Sequence, residues 1–331
     1  MISDLKKSRI SLIVPIQNET ESLLALIESI NQQTLPPDEI ILVDGGSTDG
    51  TAALARELTA ANARYRIIEA GNATPGRGRN VGTENAHNDW IAYTDAGIRL
   101  EIDWLEQLAL TAAENPNAAI VYGNYVPVAD GDFERVATVV CVAPLNVQGT
   151  RDRFIASSLM KKEVWLAVGG FPDFRASEDG VFMETAERKG FKHVFAPGAK
   201  VYWSLSPGWL ATFRKFTLYS KHSVLAGRQR HWHYGVFEQY MIVSLFVALT
   251  ILHSWSWLAV ILLWLAARTF KKMLQHRRQF GAGMFFNPLF IFEAALLILT
   301  LDLATFIGWY QALDQGKSGI ASKRRKRFNK F

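Results

Sequence analysis

Cysteine is almost absent from this chain, whose 331 residues include a single one, Cys141. One cysteine excludes an intramolecular disulfide and any metal site built from several cysteines, and it suits a reducing compartment. Cys141 lies in the apolar run VATVVCVAP, where cysteine usually packs as a small apolar side chain. We therefore do not expect it to act as a nucleophile.

Most of the chain also lacks net charge. The formal charge is +5, but residues 311–331 hold seven Lys and Arg and one Asp, which leaves 29 bases and 30 acids in the other 310 residues. A neutral body argues against nucleic-acid binding, which needs a basic face. By contrast, 49% of the residues are hydrophobic and 12% aromatic. Part of the chain is therefore expected to meet lipid.

The N-terminal region lacks a secretory cleavage site. Its basic residues precede an apolar run that ends at Pro15 and Ile16, and Gln-Asn-Glu follows without small residues. The run predicts a β-strand rather than a signal peptide, and we expect the chain to begin in the cytosol.

Up to about residue 125, short β-branched runs alternate with longer amphipathic ones, which is typical of βα units around a mainly parallel sheet. Ligands of such sheets bind at the carboxyl ends of the strands, so polar groups at residues 17–18, 44–47 and 95–97 are expected on one rim. The predicted strands are RISLIVPI, EIILVDGG, YRIIEA, WIAYTDAG and AAIVYGNYV, and the predicted helices span Glu19–Gln33, Asp49–Ala61, Arg79–His87 and Asp103–Glu114.

Candidate N-caps precede three of these helices: Asn18, the pair Ser47 and Thr48, and Asp103. Residues 131–202 are less regular and are predicted to complete the same domain. There, SEDGVFMETAERKGF predicts a helix and FKHVFAPGAKVYW predicts a pair of strands.

Composition shifts after about residue 204. Residues 205–235 interleave bases with aromatic side chains, which predicts an interfacial helix near anionic headgroups. His231 and His233 lack a third partner at metal-ligand spacing, so they too are expected in the interface. Residues 235–267 are nearly uncharged, longer than one hydrocarbon crossing requires but short for two.

A further apolar stretch, Phe285–Tyr310, contains Glu293 and Asp302. Each carboxylate is costly facing lipid, so this stretch either packs against protein or lies in the interface. Basic residues follow both apolar stretches, and bases favour the cytosolic side. We expect a short hairpin at residues 236–267, whereas two plain spans would put the bases of residues 268–278 outside.

Five motifs occur in one order: VPIQNE, EIILVDGGSTDGT, GRGRNVG, TDAG and SEDGVFMETAERKG. Together they resemble the family 2 glycosyltransferases of GT-A fold, over roughly Ile10–Ser204, and the C-terminal part is similar to that of membrane-attached members. The resemblance implies an α/β glycosyltransferase domain at 1–204, the interfacial segment at 205–235, and membrane helices with a basic cytosolic loop and tail at 236–331. The Gln-x-x-Arg-Trp motif of processive synthases is absent, which favours single transfers.

The first two motifs end strands with short polar residues and glycines, which let backbone approach a flat base. The resemblance assigns Asp44 to nucleobase recognition. It implies nucleotide contacts from the same two motifs at Pro15, Asn18, Glu19, Gly46 and Ser47. An alternative is that Asp44 and Ser47 only cap the second helix.

GRGRNVG places Gly76, Arg77, Gly78 and Arg79 before a predicted helix N-terminus, where free N–H groups and guanidinium groups suit phosphate. The resemblance puts Arg79 and Asn80 against the nucleotide. A dinucleotide site is the alternative, since Asp95 follows Gly76 by 19 residues. However, the glycines run G-x-G-x-x-x-G, and the motif is at the third βα turn rather than the first.

TDAG has one carboxylate, Asp95, where the resembling family usually shows Asp-x-Asp. The second carboxylate of that motif binds a divalent cation that neutralises the diphosphate, and Gly97 removes it. Trp203 stands where the family often supplies a histidine. A Mn²⁺ or Mg²⁺ site is therefore expected to be incomplete, with Asp95 holding the ribose or one face of the metal. Arginines such as Arg79 or Arg99 are candidates to carry part of the phosphate charge.

SEDGVFMETAERKG brings two adjacent carboxylates to a helix start. Sugar transfer needs a general base beside the acceptor hydroxyl. The family pattern gives that role to Asp179, with Glu178 in support. If the charge of one carboxylate raises the pKa of its neighbour, that favours base work near neutral pH. The alternative is that both acids only stabilise the helix dipole.

These observations predict an inverting transferase that moves a sugar from a nucleotide-diphospho-sugar to the hydroxyl of a lipid or glycan acceptor. We expect it at the cytosolic face of a membrane, specifically the bacterial inner membrane, in cell-surface glycan or glycolipid synthesis. Two rival hypotheses are a degenerate sugar-nucleotide sensor, suggested by Gly97 and Trp203, and a membrane-anchored dinucleotide enzyme.

Overall fold

The computed structural model describes residues 9–144 and 153–328. These residues form two compact units. The first contains the described residues up to 128 and from 153 to 204, and the second contains residues 129–144 and those from 205 onward. The start of the predicted transferase domain, residues 1–8, and the side chains of the basic tail lie outside the described part.

An eight-stranded sheet organises the first unit, in the order β3-β2-β1-β4-β7-β6-β8-β5. Four strand pairs are parallel and three, β4–β7, β6–β7 and β5–β8, are antiparallel. The strands are β1 (Ile10–Ile16), β2 (Glu39–Asp44), β3 (Tyr65–Glu69), β4 (Trp90–Tyr93), β5 (Ile98–Leu100), β6 (Ile120–Val128), β7 (Ser158–Lys161) and β8 (His193–Ser204).

Six helices accompany this sheet in the first unit. They are α1 (Leu23–Asn31), α2 (Thr51–Thr59), α3 (Pro75–Asn85), α4 (Trp104–Glu114), α6 (Lys162–Val168) and α7 (Glu178–Arg188), with α5 (Asp132–Cys141) in the second unit. Strands β1 and β2 are buried almost throughout, as expected for parallel strands covered on both faces. The predicted α/β class is confirmed.

Three local predictions differ from the structure. Helix α1 begins at Leu23 rather than Glu19, because Asn18 has φ +56° and its side chain accepts from the Thr48 backbone N–H at 2.9 Å instead of capping α1. Helix α2 begins at Thr51, whose N–H is capped by Asp49 at 3.0 Å rather than by the Ser47–Thr48 pair. The third helix starts four residues early, at Pro75.

Two further differences concern predicted caps and strands. Asp103 precedes α4, but its carboxylate accepts from the Gln107 side chain at 2.9 Å and makes no cap hydrogen bond. The predicted strand pair at residues 191–203 is one strand, β8. It remains continuous because it pairs with β6 across an irregularity between Tyr122 and Asn124, and with β5 on its other side.

The second unit is helical, with α5 followed by α8 (Gly208–Leu225), α9 (His233–Leu252), α10 (Leu258–Phe280) and α11 (Pro288–Phe328). Residues 129–144 were expected in the first domain. They belong here because the buried face of α5, Val136, Ala137 and Val140, packs against Ala294, Leu297 and Ile298 of α11. The apolar surface buried between α5 and α11 therefore places residues 129–144 in the second unit.

Two of these helices, over His233–Leu252 and Pro288–Gln315, are long and apolar enough to cross a membrane. Residues 236–267, predicted as a hairpin, lie in α9 and in the first part of α10, and a short turn at Trp255–Trp257 joins these helices. Asp302 of α11 is buried and packs against protein. It accepts two hydrogen bonds from Arg268, at 2.6 and 3.0 Å, and one from the Tyr240 hydroxyl at 2.9 Å.

Candidate active site

A cleft of about 250 Å³ opens at the carboxyl ends of β1, β2 and β4 in the first unit. This is the rim on which polar groups of a parallel sheet converge. Three predicted nucleotide contacts, Pro15, Glu19 and Asp95, line it. Gln17, Thr74 and Arg175 also line it.

One buried guanidinium connects three of the motifs. Arg79, on α3, is 2% exposed and donates from Nη2 to Asp95 Oδ1 and from Nη1 to Glu178 Oε1, both at 2.6 Å. The Asp95 side chain is 34% exposed and the Glu178 side chain 7%. Arg79 therefore joins a carboxylate of the cleft to a buried carboxylate at the start of α7.

The charges of this cluster depend on one another. Burial alone lowers the pKa of Arg79, but Asp95, Glu178 and Asp179 together raise it above its ordinary value. Burial raises the pKa of Glu178, Arg79 opposes that shift, and Asp179 adds to it, so the net shift is upward. The Arg79 guanidinium, which was expected against the nucleotide, is enclosed here and paired with two carboxylates.

The glycines of GRGRNVG allow α3 to lie close to the sheet. A Cβ at Gly82 would be 2.3 Å from Ile13 Cγ2, and one at Gly78 would be 3.1 Å from Pro15 Cβ. Since α3 begins at Pro75, with the Thr74 hydroxyl accepting from the Arg77 N–H at 3.2 Å, the motif forms the first turns of the helix rather than a loop ahead of it. This close packing directs Arg79 into the interior.

Asn80 occupies a different position from the expected nucleotide contact. Its Oδ1 accepts from the Phe171 N–H at 2.7 Å and the Trp165 Nε1–H at 2.9 Å, and its Nδ2 donates to the Phe171 carbonyl at 2.8 Å. Through these bonds, the Asn80 amide holds α3 to the segment before α7. In this structure the Asn80 amide therefore bonds to protein groups around Phe171.

Asp44 organises its own turn. Its buried carboxylate accepts from the N–H groups of Gly46 and Ser47, each at 3.1 Å, and from the Ser47 hydroxyl. The same hydroxyl accepts from the Asn18 N–H at 3.0 Å. Gly46 adopts φ +87° and lies where a Cβ would be 2.8 Å from the Gly71 carbonyl. Asp44 and Ser47 thus shape the loop, and neither caps α2.

The two predicted catalytic carboxylates differ sharply in environment. Ser177, immediately ahead of α7, has φ +69°, a conformation that costs a non-glycine residue free energy and often marks a functional site. Glu178 is buried against Arg79, whereas Asp179 is partly exposed and accepts from the Gly180 N–H at 2.7 Å. Asp179 is therefore the more exposed carboxylate of the pair.

The backbone conformation of the TDAG turn explains why glycine, and not a second carboxylate, stands at residue 97. Gly97 has φ +75° as the chain turns into β5, a conformation that strains any residue with a Cβ. Trp203 of β8 pairs with Ile98, the next residue. Among the described residues, no group of three His, Cys, Asp or Glu side chains is arranged to hold a metal.

The residues present fit a divalent cation only in part. Asp95 and Glu19 both line the cleft, and Mg²⁺ commonly takes one or two carboxylates together with substrate phosphates. One oxygen of Asp95 already accepts from Arg79. A cation here would depend largely on oxygens of the ligand.

Arg175, which no sequence pattern pointed to, carries a positive charge at the wall of the cleft. Its Nη2 donates to Gln17 Oε1 at 2.8 Å, and Gln17 Nε2 donates to the Gly45 carbonyl at 2.9 Å. Gln17 was expected on this rim from its place after β1. Arg175 lies in no recognisable motif, so only the tertiary structure brings it to the cleft. The other proposed arginine, Arg99, stacks its guanidinium 4.2 Å from the Tyr202 ring.

Solved glycosyltransferases share this architecture. PcManGT, a mannosyltransferase of Pyrobaculum calidifontis solved with GDP-mannose and Mn²⁺, matches with a TM-score of 0.58 at 17% identity, over 88% of this chain and 87% of that one. Residues 1–349 of TarS from S. aureus, solved with UDP, match with a TM-score of 0.52 at 16% identity, over 93% and 92%. The fold is that of the GT-A glycosyltransferases.

The sequence assigns the family. The profile of Glycosyl transferase family 2 matches residues 11–182, just over half of the chain, and the chain belongs to that family. The glycosyltransferase AglE of Haloferax volcanii is 26% identical over 199 residues, 56% of this chain and 64% of AglE. GlyG of Streptococcus pneumoniae is 31% identical over 149 residues, 44% and 49%. The chain spans less than two thirds of the length of each of the first curated relatives that it matches.

Proposed function

We propose that this chain transfers a sugar from a nucleotide-diphospho-sugar to an acceptor hydroxyl, with inversion at the anomeric carbon. The observation that carries the proposal is the link through Arg79. This residue joins Asp95, a carboxylate of the cleft, to Glu178, the neighbour of the partly exposed Asp179. The proposed donor site and the proposed general base therefore belong to the same unit.

In the proposed donor site, the loops at Asn18 and at Asp44–Ser47 receive the nucleobase, since their hydrogen bonds hold polar backbone at the strand ends. Asp95 and Glu19 border the ribose and diphosphate, and Arg175 supplies a positive charge for phosphate. A divalent cation, when bound with Asp95 as its protein ligand, supplies charge neutralisation for the leaving diphosphate. PcManGT was solved with GDP-mannose and TarS with UDP, which supports this class of donor.

In the proposed reaction, the acceptor oxygen forms a bond to the anomeric carbon while the bond from that carbon to the diphosphate oxygen breaks. The hydroxyl proton passes to the Asp179 carboxylate. Attack from the face opposite the leaving diphosphate inverts the anomeric carbon. The buried Glu178–Arg79 pair positions the start of α7 and does not exchange a proton with the acceptor.

The test is Asp179→Asn, which keeps the shape of the side chain but cannot take the proton. We expect transfer to fall by about 10²-fold or more with little change in nucleotide affinity, measured by product formation and by calorimetry. Glu178→Gln is the matched control and should cost less transfer. Unchanged transfer in Asp179→Asn would refute the general base. Nucleotide binding by the wild type without transfer to any lipid or glycan acceptor would favour the sensor.

We further propose that the first unit lies on the cytosolic side of a membrane, in bacteria the inner membrane, where nucleotide-sugars are made and cell-envelope glycans begin. Support comes from the two long apolar helices and from the bases of residues 268–278, which favour the cytosolic side. Protease added outside intact cells should leave residues 1–200 whole, and high salt should not release the protein. Cleavage in that region or release by salt alone would refute the arrangement.

A further inference from the structure

A second cavity, of about 310 Å³, lies within the helical unit and is independent of the cleft. Helices α9, α10 and α11 each contribute to it. It is lined by Gln239, Arg268, Lys271, Lys272, Gln275 and Ile298. Three of these six residues are cations and two are neutral amides, so the lining carries positive charge and no carboxylate.

The positive charge of this cavity is only partly balanced. Asp302 neutralises Arg268 through two hydrogen bonds. Lys271 and Lys272 have no carboxylate partner among the described residues. Burial lowers the pKa of Lys272, and Arg268 and Lys271 lower it further, while the Cys141 thiol alone opposes the shift. An anion in the cavity would relieve this repulsion.

Apolar surface adjoins the cavity on the same helix faces. Ile242 follows Gln239 by three residues on α9, and Leu274 follows Lys271 by three residues on α10, so each pair shares a face. These two apolar side chains are 58% and 54% exposed. A ligand with an anionic head and an apolar tail would match both features, whereas a free anion would use only the first.

We propose that this cavity binds the phosphate of an anionic phospholipid, with Lys271 and Lys272 contacting the phosphate and the acyl chains lying along Ile242 and Leu274. Basic pockets between membrane-associated helices are suited to lipid headgroups. Gln275 adds a neutral amide beside the lysines, whereas the Gln239 amide nitrogen already donates to the Gly235 carbonyl at 2.9 Å. The two lysines thus provide a headgroup site separate from donor binding.

The test compares phosphatidylglycerol with phosphatidylcholine of the same acyl chains, bound to the full chain in detergent and counted by native mass spectrometry. We expect the double variant with Lys271→Gln and Lys272→Gln to weaken phosphatidylglycerol binding by about 30-fold, because it loses the usual contribution of two bases to the binding free energy of anionic lipid. The matched control, Arg277→Gln with Arg278→Gln, removes the same charge from α10 outside the cavity and should weaken binding less than about threefold.

Three results would overturn the proposal: equal losses in both double variants, equal binding of the two lipids, or inorganic phosphate raising the thermal midpoint as much as phosphatidylglycerol does. Equal losses would indicate general electrostatic attraction, and equal binding of the two lipids would indicate apolar adsorption. An equal effect of inorganic phosphate would indicate a free-phosphate site. The thermal midpoints without lipid establish that the variants fold. If the double variant does not fold, the exposed Lys271→Gln is used alone, and binding within twofold of the wild type would refute the proposal.

Discussion

Replacing Arg79 by methionine tests the buried ion cluster directly. Methionine keeps an unbranched side chain but removes the one cation that contacts both Asp95 and Glu178. Asp95 is one third exposed and remains hydrated, but the Glu178 side chain is 7% exposed and would lose its partner in the interior. Breaking a buried ion pair in this way usually costs about 3–5 kcal/mol, which corresponds to a fall in the melting temperature of roughly 10 °C for a unit of this size.

The loss should depend on pH. Without the guanidinium, burial raises the pKa of Glu178 above its unfolded value of about 4.3. A carboxyl whose pKa is raised by folding stabilises the fold below the unfolded pKa, and that contribution is lost as pH rises through the folded pKa. The deficit of Arg79→Met relative to the wild type should therefore be smallest near pH 4–5 and grow toward pH 8.

The assay is thermal unfolding of the full chain in detergent, followed by circular dichroism across this pH range. Adding Glu178→Gln to Arg79→Met removes the uncompensated charge and should recover more than half of the deficit at neutral pH. Arg79→Lys should be intermediate, because one ammonium cannot reproduce the fork that reaches two carboxylates. A single variant within about 2 °C of the wild type, or a deficit that does not change with pH, would refute the buried-charge argument.

Two other predictions follow from the cleft and its supporting helix. Because Gly97 stands where the family usually has the second carboxylate of Asp-x-Asp, we expect chelation to lower transfer only in part, and Asp95→Ala to weaken nucleotide binding more than chelation does. Complete loss on chelation, restored by Mn²⁺, would contradict this. Gly82→Ala introduces a Cβ 2.3 Å from Ile13 Cγ2 and should cost about 1–3 kcal/mol of unfolding free energy. Gly235→Ala, in open space on a helix, is the control, and equal effects of the two changes on denaturant unfolding would show that close packing at α3 is not responsible.

Local patterns were sufficient for the α/β class and for the rim. The strands β1, β2 and β4 can be predicted from the sequence because apolar and β-branched residues cluster in them. Parallel strands have their carboxyl ends on one side of the sheet, which predicts the rim. The positions of Asp44 and Asp95 after such strands follow from the same pattern. The starts of three helices differ from the predicted ones. Asn18 and Asp49 show that neighbouring polar residues compete for the same backbone donors, and only the fold decides which one caps.

Residue 79 shows where sequence reasoning reached its limit. An arginine beside glycines at a helix start is typical of phosphate binding, but here it pairs with carboxylates 16 and 99 residues away. Asn80 likewise bonds to Phe171, 91 residues away. The direction of both side chains depends on how closely α3 packs on β1, which no local pattern contains.

The sequence by itself therefore determined the family and the α/β class, because these depend on residue types at short spacing, and its resemblance to the family offered Asp179 as the candidate base. Only the tertiary structure decided that Arg79 is an internal link, that Arg175 reaches the cleft, and that residues 129–144 pack with the helical unit. These outcomes depend on burial and ion pairing between distant segments. Their free energies arise only when the segments exclude water together.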